Sequence, residues 1–109
     1  MLEQGKNVRI NLPREELAAF CRRWKISDVA LFGSVLRDDF RPDSDIDVLV
    51  TFDTAADWGL LDHAAMQEEL ASLLGRDVDL VSRRAVDASE NWIRRRAILG
   101  SAETVYASR

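Results

Sequence analysis

The sequence holds one cysteine, one histidine and one tyrosine among 109 residues. A single thiol, Cys21, excludes an intrachain disulfide and fits a reducing cytosol. No run of apolar residues is long enough for a membrane-spanning helix. The first nine residues lack the apolar core of a secretory leader, so the expected location is the cytoplasm. Positive charge is not in surplus either. Fifteen Lys and Arg against 19 Asp and Glu leave a formal net charge of −4, which argues against nonspecific binding to a nucleic-acid backbone. Repeats and low-complexity linkers are missing as well. A chain of this length predicts one domain over residues 1–109, burying roughly 60% of its unfolded surface. The apolar fraction of 47% and charged fraction of 31% are ordinary for a soluble globular protein.

The informative stretch is residues 31–50. An apolar run breaks at Gly33-Ser34, passes through a polar segment, and ends in two aspartates that lead a second apolar run. This predicts a strand, a tight turn, a short helix or loop, and a strand opening on paired carboxylates. Asp45 and Asp47 are two apart, so in an extended strand both leave the same face, with Cα atoms roughly 6.5 Å apart. Two like charges this close repel, and a cation between them is the simplest remedy. Mg²⁺ takes one or two carboxylates and completes its shell with waters and substrate phosphates. The pair therefore asks for a phosphate-bearing substrate. Gly33 lets the chain turn sharply and a ligand approach. If Ser34 caps the next turn, backbone N–H groups there face outward and bind phosphate oxygens.

Hydrophobic periodicity supplies the frame. Leu17, Phe20, Cys21 and Trp24 recur at helical spacing over residues 13–25, with Pro13 suited to the first position. Strands are predicted over residues 29–32 and 46–52. In the second, Ile46, Val48, Val50 and Phe52 share one face; Asp45, Asp47, Leu49 and Thr51 share the other. A helix over residues 60–74 turns Met66, Leu70, Leu73 and Leu74 inward and ends at Gly75. Residues 77–81 form a third strand. Asp87 and Glu90 have capping-box spacing, predicting a helix over residues 88–99 that stops at Gly100. Residues 103–107 alternate like a closing edge strand, and residues 8–12 alternate near the start.

The pattern Gly33-Ser34, ten residues, then Asp45-x-Asp47 resembles the signature of the polymerase-β nucleotidyltransferase superfamily. The shortness of the chain resembles its minimal nucleotidyltransferase branch, and a third carboxylate of that pattern corresponds to Asp79 in Val78-Asp79-Leu80-Val81. Against the usual family wording G-S-x-A-R-G, Arg37 matches, whereas Leu36 and Asp38 depart. The resemblance implies an α+β fold, α/β-like, with a mixed sheet of about four strands packed with helices. It implies that Asp45, Asp47 and Asp79 are catalytic and hold two Mg²⁺ ions, and that Gly33, Ser34 and Arg37 bind the nucleotide, with ATP as substrate. It further implies AMP transfer to a hydroxyl, expected to be tyrosine, of a HEPN-type toxin, so that the chain is the antitoxin of a hetero-oligomer. The alternative is a non-catalytic antitoxin that neutralises its partner by contact.

Other residues have plainer readings. Asp38, Asp39 and Asp43 read as solvated loop acids, His63 as a surface histidine, and Cys21 as core filler. Trp58 reads as a loop aromatic packed beneath its loop. Arg94, Arg95 and Arg96 cannot share one helical face, so with Trp92 they suit a protein partner rather than a nucleic-acid stripe.

Overall fold

The computed structural model describes residues 12–36 and 45–107. Arg37, the loop acids Asp38, Asp39 and Asp43, and the alternation at residues 8–11 lie outside them. The described elements run α1 (Arg14–Arg23), β1 (Ile26–Phe32), a 3₁₀ turn (Gly33–Leu36), β2 (Ile46–Phe52), α2 (Leu60–Leu74), β3 (Val78–Ser82), α3 (Arg83–Asp87), α4 (Trp92–Ser101) and β4 (Glu103–Ala107).

The four strands form one mixed sheet in the order β3-β2-β1-β4. β1 runs antiparallel to β2 and to β4, whereas β2 and β3 are parallel. Parallel neighbours need a crossover, and α2 supplies it. The predicted mixed sheet with helices is what the chain adopts.

The apolar alternation of the strands is read out on two faces. Ile46, Val48 and Val50 of β2 join Val29, Leu31, Val78 and Leu80 in the main core, closed by Leu17, Phe20 and Cys21 of α1 and by Met66 and Leu70 of α2. Leu49 and Phe32 point the other way, against Val86 of α3 and Ile98 of α4. Burying side chains such as Phe20, Leu17 and Leu70 completely contributes about 1.5–3 kcal/mol each before entropy is counted. Leu73 and Leu74 sit at the margin of the main core, half-buried. Gly75 ends α2 at φ +71, a left-handed cap.

Three boundaries differ from the sequence reading, each for a local reason. β1 begins at Ile26 rather than at residue 29. The polar Ser27 is tolerated because its hydroxyl donates to the Thr51 carbonyl at 3.1 Å. β3 covers Val78–Ser82, one residue later than expected. The Ser82 hydroxyl then accepts from the Ala85 N–H at 3.1 Å and starts a short helix directly at the strand end. The capping box at Asp87 and Glu90 is not used. Asn91 instead accepts from the Arg94 N–H at 3.1 Å and caps α4, which continues through Gly100 to Ser101.

The loop between β2 and α2 is tied down by aromatics. The Trp58 indole N–H donates to the Trp24 carbonyl at 2.7 Å, and the rings meet edge-to-face at 5.2 Å. Trp24 in turn donates to Glu69 of α2 at 3.2 Å, and Arg23 pairs with the same carboxylate.

Candidate active site

The start of β2, the end of β1 and the start of β3 meet at one end of the sheet. Register places Phe32 opposite Asp47 on one side and Asp79 opposite Asp47 on the other. Two register partners on neighbouring parallel strands have Cα atoms about 4.8 Å apart and side chains on one face. Asp47 and Asp79 are therefore held side by side by the backbone ladder itself. The Ile46 N–H donates to the Asp77 carbonyl at 3.0 Å, which locks this end of the parallel pair.

Gly33 completes the corner. Its φ of +77 is left-handed, and a Cβ built on it would collide with Oδ2 of Asp47 and lie 3.2 Å from Cγ. Any larger residue would occupy the space taken by the carboxylate. The chain then makes the tight 3₁₀ turn Gly33–Leu36, in which Val35 plugs into the main core. The backbone at Ser34 is thereby fixed beside Asp47.

The structure thus brings Gly33, Asp47 and Asp79 together, with the Ser34 backbone adjoining. Asp45 lies one residue before β2 and is exposed, at the lip of the same end. Asp47 is half-buried and Asp79 exposed. Among the described residues no group of three His, Cys, Asp or Glu side chains is arranged to hold a metal ion. Two adjacent carboxylates do fit Mg²⁺, a hard cation that takes oxygen ligands and leaves most positions to water and phosphate.

One reading of a single residue changes. His63 is half-buried rather than a surface histidine, because its Nε2 donates to the Leu80 carbonyl at 2.8 Å. Its spacing of four from Gln67, which accepts from the Leu80 N–H at 3.0 Å, was the available signal. A cleft of about 690 Å³ opens at the opposite end of the sheet, where Phe52, Trp58, His63, Met66 and Arg83 line it. The four residue steps from Asp47 to Thr51 separate the two ends by about 13 Å along β2. Cleft and acidic pair are distinct places. No helix among the described residues is long and apolar enough to cross a membrane.

A glycine-backed carboxylate pair at the end of a mixed sheet is the arrangement of a phosphate-handling α+β domain. The chain belongs to the nucleotidyltransferase domain family, whose profile matches residues 14–103. It is 36% identical to the protein adenylyltransferase MntA of Thermococcus cleftensis over 64 residues, 59% of this chain and 63% of that protein. A solved structure described provisionally as a minimal nucleotidyltransferase superposes with a TM-score of 0.62 at 38% identity, covering 82% of this chain and 85% of that one. A complex of a tri-AMPylated Shewanella oneidensis HEPN toxin with its MNT antitoxin contains the same fold, at a TM-score of 0.58 and 22% identity over 86% of this chain and 69% of that one. The aligned segment spans 63–64% of the length of two archaeal protein adenylyltransferases, one of them provisionally named.

Proposed function

We propose that this protein is a Mg²⁺-dependent nucleotidyltransferase that moves AMP from ATP to a hydroxyl, a tyrosine hydroxyl by preference, of a partner HEPN-type RNase toxin and so acts as its antitoxin. The observation that carries this reading is the Gly33–Asp47–Asp79 corner, where a left-handed glycine backs Asp47 and Asp47 is in turn register-paired with Asp79. The adenylyltransferase name of the Thermococcus relative and the AMPylated toxin in the Shewanella complex support the choice of AMP and of a protein acceptor.

In this reading the register-paired Asp47 and Asp79, with Asp45 at the lip, would hold two magnesium ions, and Gly33, Ser34 and Arg37 would receive the triphosphate. Bound magnesium supplies charge neutralisation at the phosphates and makes the acceptor hydroxyl more acidic. The acceptor oxygen attacks the α-phosphorus in line. A new P–O bond forms as the bond to the bridging oxygen breaks, and pyrophosphate leaves with that electron pair. Asp79, on the exposed side of the pair, takes the hydroxyl proton. Asp47 stays fixed against Gly33, so positioning and electrostatics supply most of the rate.

A second reading, neutralisation by contact alone, draws on exposed apolar side chains. Leu60 and Leu61 are 85% and 86% exposed, and Trp92 and Ile93 58% and 65%. The deciding experiment mixes the chain with ATP, Mg²⁺ and the product of the neighbouring gene, then weighs that product. Addition of one or more AMP units supports the enzyme. Neutralisation without any mass change, surviving loss of Asp45 and Asp47, supports the binder.

A further inference from the structure

Among the described residues β3 is an edge strand: β2 lies on one side and no strand on the other. An edge strand leaves alternate backbone N–H and C=O groups without ladder partners and is free to shift or fray. At Leu80 both groups are taken by side chains of α2. Gln67 accepts from the Leu80 N–H at 3.0 Å, and His63 Nε2 donates to the Leu80 C=O at 2.8 Å. A carbonyl oxygen can only accept, so the imidazole carries its proton on Nε2. His63 and Gln67 are four apart and share one helix face, so together they mimic one residue of a neighbouring strand. All three residues are partly or fully shielded from water, and the Leu80 side chain is anchored in the main core.

Leu80 directly follows Asp79. Main-chain groups of Leu80 directed at α2 leave Asp79 opposite Asp47 in the β2 ladder. We infer that His63 and Gln67 are positioning residues for the proposed nucleotidyl transfer: they clamp β3 from its open edge and so fix the Asp79 carboxylate beside that of Asp47. The clamp rests on the nucleotidyltransferase reading for its purpose. It does not touch substrate, and it lies on the far side of β3 from the ladder that carries the two aspartates.

The test uses Gln67→Met, which keeps length and apolar volume but removes the acceptor, and Gln67→Glu, which restores an acceptor oxygen. Backbone amide exchange is followed by NMR, and AMP transfer to the partner is titrated with Mg²⁺. In Gln67→Met the Leu80 amide is expected to exchange at least about tenfold faster while the amides of central strand β2 keep their rates. The Mg²⁺ concentration for half-maximal transfer is expected to rise about tenfold, as for outer partners of metal-holding carboxylates. Gln67→Glu is expected to recover both. An unchanged Leu80 amide would overturn the clamp. So would a uniform rise of exchange across β2 and β3, which marks general stability alone, or an unchanged Mg²⁺ requirement in an active variant. Wild-type protein that transfers no AMP would instead overturn the nucleotidyltransferase reading, and the clamp's catalytic role with it.

Discussion

Gly33 and Asp47 share one space: the carboxylate of Asp47 fills the position that a side chain on residue 33 would need. Gly33→Ala therefore meets two penalties, the left-handed φ of +77 and a collision with a half-buried acid. The expected loss is about 1–3 kcal/mol, or a melting temperature lower by roughly 5–15 °C for a domain of this size. AMP transfer should disappear together with Asp47 alignment. Circular dichroism melts and the mass assay measure the two effects separately.

Neutralising either member of the register pair should separate fold from chemistry. Asp47→Asn and Asp79→Asn keep shape and remove charge, so melting temperatures should stay within a few degrees of wild type. Transfer should fall by about a hundredfold or more, the scale of a lost electrostatic contact to a developing charge. Asp47→Asn protein that still adds AMP would count decisively against the proposed site.

Cys21 sits on α1 with no exposure, and burial pushes its thiol up from 9.0 to about 12, the charge of Arg22 opposing weakly. The folded state thus resists losing this proton. Its stabilisation relative to the unfolded chain is fully present below about 9 and is lost as pH rises toward about 12. Two outcomes follow. The native protein should be inert to iodoacetamide near pH 8 and react fully in denaturant. The urea midpoint should also fall more steeply above pH 9 than in Cys21→Ala.

Trp58 links the β2–α2 loop to the end of α1. Trp58→Phe retains a ring but loses the 2.7 Å bond to the Trp24 carbonyl. A loss of about 1 kcal/mol is expected, read as a drop of roughly 4–8 °C in melting temperature. No change in melting temperature would mean that water replaces the indole at no cost.

Much of this architecture was legible because periodicity and chemistry agreed. β2 and α2 fall at the expected bounds, since Ile46–Phe52 alternates cleanly and Leu60–Leu74 ends at a glycine. The segment after β3 was misread because two capping signals compete there. Ser82 and Asn91 use theirs, and Asp87 ends a helix rather than starting one. His63 looked superficial for a different reason. Its partner is a backbone carbonyl of an edge strand; the spacing of four from Gln67 puts both on one helix face but does not say which strand that face meets. Asp47 and Asp79 could be named from the chain, but their adjacency comes from the parallel β2–β3 ladder, which only tertiary structure provides.

That ladder also dictates when the protein can begin to work. Asp47 and Asp79 are 32 positions apart (79 − 47), and the intervening chain must wind through α2 before they meet. β1 and β2 can pair as soon as both have emerged from the ribosome, yet a nascent chain at that point carries one half of its acidic pair. Non-local parallel pairing is the slow kind, so the two carboxylates should come together only after β3 has docked.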